Sequence, residues 1–141
     1  MAFALTFLIA SYANAQFEGK RCSIDGTPYS VMIKKIKVDK KGKVSVSFAN
    51  DSKDNVNVVL KVAAKVEYYW WSYGEKHSGE SSYPSCTIVG TVKPGSSEWS
   101  NTFSGQLEIM DRIEVDFDYQ TAYVDDIVVR SVEFEKSSRC Y

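Results

Sequence analysis

Apolar side chains that recur at every second position, with no stretch at helical spacing, set the architecture open to this chain. Val44, Val46 and Phe48 alternate with Ser45 and Ser47. Val56, Val58, Leu60, Val62, Ala64 and Val66 carry the same rhythm onward, with Lys61 and Lys65 on the opposite parity. A strand sends successive side chains to opposite faces, so each run has one dry face and one wet face. Residues 50–55, rich in Asn, Asp and Ser, separate the two runs and make them an antiparallel hairpin.

Further strands are expected at residues 29–38, 87–92, 105–110, 113–119 and 123–134. The first ends at Asp39-Lys40-Lys41-Gly42, where glycine supplies the positive φ that a tight turn needs. In residues 113–119, Ile113, Val115, Phe117 and Tyr119 oppose Glu114, Asp116 and Asp118. The last segment is apolar on both parities, which indicates an inner strand or a bulge near Asp125. Residues 72–85 and 93–100 read as loops, the second around Pro94-Gly95. Short strands without long crossovers predict an all-β fold, a two-sheet antiparallel sandwich of the jelly-roll kind, with a closed β-barrel as the alternative.

Residues 1–15 carry no charged side chain and end in Ala13-Asn14-Ala15, the pattern of a secretory signal peptide. Its apolar run is shorter than the roughly 20 residues a bilayer requires, so no transmembrane anchor is expected. The expectation is a secreted, extracellular protein in which residues 16–141 form one domain, since a chain of this length supports a single core. Cys22, Cys86 and Cys140 then meet an oxidising environment in an odd number. Cys22 with Cys140 is the favoured disulfide, because the two lie just outside the first and last strands and domain termini often emerge together. Cys86 with Cys140 is the rival, and an unpaired cysteine leaves room for a homodimer. Asn50-Asp51-Ser52 is an acceptor sequence for an N-linked glycan.

Seventeen basic and eighteen acidic side chains nearly cancel, so no nucleic-acid partner is expected. The distribution is uneven: residues 16–65 hold eleven basic and five acidic side chains, and residues 66–141 hold six and thirteen. Lys34, Lys35, Lys37, Lys40, Lys41 and Lys43 crowd the first hairpin, where charge discourages edge-to-edge pairing. Catalytic signatures are wanting. The one histidine, His77, has no motif that would mark a triad, and with three scattered cysteines it makes no zinc set. Asp116 with Asp118 and Asp125 with Asp126 offer paired carboxylates, but glycoside hydrolysis also requires a cleft and a raised pKa. A non-enzymatic protein is expected. Oxygen ligands from Asp125 or Asp126 suit a structural calcium, a hard cation that prefers them.

The sharpest local feature is Tyr68-Tyr69-Trp70-Trp71-Ser72-Tyr73. If extended, it places Tyr68 and Trp70 on one face and Tyr69, Trp71 and Tyr73 on the other. Amphipathic rings of this kind serve sheet ends and recognition surfaces alike. The ligand-binding set expected here is Trp70, Trp71 and Tyr73 for stacking, Glu75 and His77 for orienting hydroxyls, and Trp99 as a second platform. The expected ligand is a glycan or glycoprotein, or else another secreted or cell-surface protein, including an immune factor.

Over residues 90–134 the chain resembles the second half of galactose-binding-like, carbohydrate-binding jelly-roll modules. The likeness rests on Thr91-Val92, Ser97-Glu98-Trp99 before Thr102-Phe103, the acidic strand Ile113-Glu114-Val115-Asp116-Phe117, and Tyr123-Val124-Asp125-Asp126-Ile127-Val128-Val129. The resemblance implies a non-catalytic sandwich and a calcium role for Asp125 or Asp126. The late cysteine is also similar to that of small secreted lipid-binding sandwiches, which implies an apolar cavity between the sheets.

Overall fold

The computed structural model describes residues 15–24, 30–115, 120–136 and 138–140. Apart from Ala15 the expected leader lies outside them, as do Asp116 and Asp118 at the far end of the strand expected at 113–119. The valine and serine run forms β3 (Lys43–Asn50), antiparallel to β2 (Val31–Val38). In the turn between them Gly42 stands at φ +87°, and a Cβ there would come within 2.8 Å of the Leu107 carbonyl. The Asp39 carboxylate accepts the backbone N–H groups of Lys41 and Lys43, each at 2.9 Å. A bulge in β2 moves the register from Ile33 opposite Phe48 to Lys35 opposite Ser47. Ile33 and Ile36, of opposite parity, are therefore both buried.

β1 (Arg21–Ile24) pairs with β2, β10 (Ser138–Cys140) with β1, and β7 (Thr102–Gln106) with β3. The five-stranded order is β10-β1-β2-β3-β7. Cys22 and Cys140 are register partners joined by a disulfide, which locks the first strand to the last across 118 residues. The pairing favoured by the sequence is the one formed, and Cys86 is the free thiol.

The second sheet is organised on β4 (Val56–Ser72), a strand of 17 residues. One edge of β4 carries β6 (Ser85–Val92) along its first half and β5 (Glu75–Ser82) along its second; the other carries β9 (Gln120–Phe134), which in turn pairs with β8 (Arg112–Val115). The register between β4 and β9 skips Arg130 and then Asp125. Each skip is a bulge that switches which parity of β9 points inward, so Phe134 and Val132, then Val129 and Ile127, then Val124 all oppose the inward row of β4, and Ala122 beyond them is buried too. The bulge expected near Asp125 is present, and the one at Arg130 completes the explanation of the two-sided apolar pattern.

The inward rows meet in a core of Val31, Ile33, Ile36, Val44, Val46 and Phe48 from one sheet against Val58, Leu60, Val62, Ala64, Ile88 and Val129 from the other. Phe48 lies at its centre, with ring centroids 6.1 Å from Phe103 and 6.5 Å from Phe134. Each such side chain contributes roughly 1.5 to 3 kcal/mol on burial. Where β6 and β7 cross, glycines allow the approach: a Cβ on Gly90 would come within 2.4 Å of the Phe103 ring, and one on Gly105 within 2.9 Å of Ile88. The result is an all-β, two-sheet antiparallel sandwich consistent with a jelly-roll-like fold; the sheets do not close on themselves, which removes the barrel alternative.

Three expected boundaries move. Residues 72–85 are not a loop: Tyr73 and Gly74 make a turn, and Glu75–Ser82 returns as a polar edge strand held by backbone pairing rather than by an apolar row. The strand expected at 105–110 lies earlier, at Thr102–Gln106, because Leu107 and Ile109 pack into the core from an irregular segment. Within residues 93–100 the chain enters a short helix, α1 (Glu98–Asn101). Among the described residues no helix is long and apolar enough to cross a membrane.

Candidate functional site

The long strands β4 and β9 run past the main core and form an arm with β5 and β8. The arm has its own core of Val66, Tyr68 and Ala122, with Trp70, Ile109, Ile113, Val115 and Val124 packed against it. Tyr68 is 1% exposed and donates its hydroxyl to the Met110 carbonyl at 3.1 Å. That hydrogen bond satisfies the only polar atom of its side chain and ties the arm to the segment that covers it. The even parity of β4 thus continues inward to Trp70, which stacks on its register partner His77 at 5.9 Å with 19° between the rings.

On the opposite face, Tyr69 lies 6.2 Å from Tyr123, and the Lys76 ammonium sits 4.7 Å above the Tyr69 ring. Lys76 also donates to the Asp125 carboxylate at 3.2 Å. Trp71 stands beside this cluster, 59% exposed, and Tyr123 is 47% exposed. The face therefore offers ring surface next to one bound cation and one bound anion, a combination that suits a ligand with flat apolar patches and hydroxyl groups.

At the tip, Tyr73 and Gly74 have φ values of 51° and 76°, the double positive turn that favours Asn-Gly. A tyrosine in the left-handed region costs about 1 kcal/mol or more. Tyr73 is 99% exposed, so burial of its ring offsets none of that cost. Strain of this kind is retained most often where a side chain has work outside the fold.

The fold separates the residues named from sequence into three groups. Trp71 and Tyr73 are presented to solvent, with Glu75 exposed beside them at the turn. Trp70 and His77 face inward and engage each other. Trp99 is 97% exposed on α1, beyond the Val56 end of β4, while Tyr73 follows the Ser72 end. A strand of that length spans on the order of 50 Å, so Trp99 belongs to no common site with the arm. Tyr69, Tyr123 and Lys76 were missed by sequence reasoning. Lys76 is legible once the hairpin is recognised, but Tyr123 comes next to Tyr69 only through the pairing of strands far apart in the chain.

Asp125 is held by Lys76, and the Asp126 carboxylate accepts the Ile127 N–H at 2.9 Å. Among the described residues no group of three or more His, Cys, Asp or Glu side chains is placed to hold a metal ion. Asn50 is 1% exposed; its amide nitrogen donates to the carbonyls of Asp54 at 2.8 Å and Val92 at 3.2 Å. That nitrogen is the atom a glycan would occupy, and in this arrangement it is enclosed and fully engaged. Cys86 is half-buried against the core, and burial raises its thiol pKa. Near the disulfide, a pocket of about 330 Å³ is lined by Phe17, Cys22, Ile33, Val132 and Phe134 together with polar residues that include Lys20 and Glu133.

No family model, curated protein or solved structure matches the chain. The likeness to carbohydrate-binding modules that the fold shows is one of jelly-roll-like sandwich architecture.

Proposed function

We propose that this protein is a secreted, non-catalytic binding module that recognises a glycan or glycoprotein through the aromatic arm. The observation that carries the reading is Tyr73, fully exposed at a strained turn position beside exposed Trp71. Trp71 and Tyr73 supply stacking area, while Glu75, Lys76 and Asp125 supply hydrogen-bond partners for hydroxyls. The rigid hairpin under them lowers the ordering cost of association.

A glycan array probed with the wild-type protein and with the Trp71→Ala and Tyr73→Ala variants tests this. Each truncation is expected to weaken binding by roughly 1 to 3 kcal/mol while the far-ultraviolet circular dichroism spectrum is retained. Binding unchanged in both variants would remove the arm from recognition. A second reading, a small amphipathic ligand between the sheets, is favoured by the 330 Å³ pocket near the disulfide, whose volume lies at the lower end of small-molecule sites. Native mass spectrometry of freshly isolated protein separates the two readings, since only the second gives a co-purified mass.

A further inference from the structure

The outward face of the disulfide-bearing sheet carries a groove separate from the aromatic arm. Lys35 and Lys37 of β2 are register partners of Ser47 and Ser45 of β3. With Thr102 of β7 and Glu98 of α1 they line a shallow depression of about 200 Å³ that includes no apolar side chain. Ser47 and Thr102 hydroxyls lie 2.8 Å apart on its floor. Lys40, Lys41 and Lys43 continue the positive charge around the hairpin end, and from Lys35 to Lys41 a strand rises roughly 20 Å. Among the described residues no carboxylate lies within 4.0 Å of any of these five ammonium groups; the ion pairs formed belong to Arg21, Lys65 and Lys76. Five cations without a close ion pair outnumber the carboxylates of Glu18, Asp39 and Glu98 around them and keep a positive local field although the whole chain is near neutrality.

We propose that this face binds an extended polyanion, a sulfated polysaccharide, with its sulfates on Lys35 and Lys37 and its hydroxyls over Ser45, Ser47 and Thr102. A groove without apolar side chains gives a lipid tail or a hydrophobic peptide nothing to bury. Its concavity and its continuation along the hairpin suit a polymer strand better than a flat membrane. Glu98 opposes the anion from the end of the groove, which makes its removal a test with the opposite sign.

The full chain is applied to immobilised heparin and, separately, to uncharged dextran and to phosphatidylserine vesicles. Retention on heparin alone is expected, reversed by added salt as counterion release requires. In the Lys35→Ser/Lys37→Ser variant affinity is expected to fall roughly tenfold or more, whereas Glu98→Gln is expected to elute at higher salt than the wild type. All three side chains are surface groups, and circular dichroism checks the fold of each variant. The proposal is overturned if heparin fails to retain the wild type, if the double lysine variant elutes at the wild-type salt concentration, or if vesicles bind and heparin does not. Because Trp71→Ala leaves this face intact, unchanged heparin retention in that variant separates this site from the arm.

Discussion

Asn50 and Asn101 meet on one carbonyl: the Gly95 oxygen accepts the Asn50 backbone N–H at 2.9 Å and the Asn101 side-chain amide at 3.3 Å. Asn101, 0% exposed, also donates to Lys93 O and accepts Lys93 N–H. Asn50 holds Asp54 and Val92 in the same way and accepts from Ser52. The two asparagines thus satisfy the backbone groups at the end of the sandwich where the chain passes from β3 to β4 and from β6 to β7. Replacing either by Ala is expected to cost about 1 to 3 kcal/mol, because carbonyls and N–H groups are left unpaired in a dry site. The double variant is expected to depart from the sum of the two losses, since the two side chains hold one peptide unit, Asn50 through the Val92 carbonyl and Asn101 through the Lys93 N–H. Urea denaturation of the four proteins measures this.

The same geometry yields a covalent prediction. With its amide nitrogen enclosed and donating to two carbonyls, Asn50 is expected to carry no glycan in the folded chain. Intact-mass measurement of protein made in a glycosylating host is expected to show Asn50 unmodified, and a glycan mass removed by an amidase would contradict the enclosed position of this residue.

Tyr73→Asn is expected to raise stability by about 0.5 to 1 kcal/mol, since asparagine tolerates the left-handed backbone better than tyrosine does. If the arm recognises a ligand, the same substitution weakens binding. A gain in thermal midpoint with loss of array signal is the expected pair of results, and it is the trade-off that strained functional positions produce.

Reduction of Cys22 to Cys140, or the Cys22→Ser variant, is expected to cost on the order of 4 kcal/mol, the loop-closure value for a long loop. The reduced protein is expected to unfold at lower urea concentration. An unchanged midpoint would mean that β1 and β10 remain paired through hydrogen bonds alone.

For Cys86, burial lifts the thiol above the usual range, so little thiolate exists near neutrality and alkylation of the folded protein is expected to be slow. The linkage has a definite sign. The unfolded chain releases this proton at lower pH than the folded one, so the stabilisation is complete below about pH 8.5 and declines as pH rises beyond it. Alkylation rates followed from pH 7 to 10, with and without urea, check both statements.

The sequence made the sandwich legible because β3 and the first part of β4 each carry an unbroken apolar row on one parity and mainly Ser, Lys or Asn on the other, although in β3 Ser47 and Ala49 of the second parity are covered as well. It also marked the disulfide, from the position of the two cysteines outside the terminal strands. β5 stayed hidden, since Glu75–Ser82 has no apolar row and becomes a strand only through hydrogen bonds to β4. The site was legible in part for the same reason. Alternation gave the two faces of Tyr68 to Trp71, but no local pattern reports that His77 stacks on Trp70 or that Tyr123 and Asp125 arrive from β9. The isolation of Trp99 was equally invisible, because it depends on the length to which β4 grows.

The two extra residues in β9 have the same effect, each at its own place. Each switches which parity of the sequence points inward, and the bulge absorbs the switch, so the apolar row stays opposite β4 on both sides of it. Excising Arg130 would leave Ser131 and Val129 consecutive against Ala63 and Ala64, and excising Asp125 would do the same for Asp126 and Val124 against Glu67 and Tyr68. Either cut, alone or with the other, regularises the ladder and keeps every facing. A residue removed between the bulges would instead bring charged side chains into the interior unless a bulge moved to absorb it. Length changes in this strand are therefore tolerable at two places and costly between them, a positional rule that any variant library of this protein will have to obey.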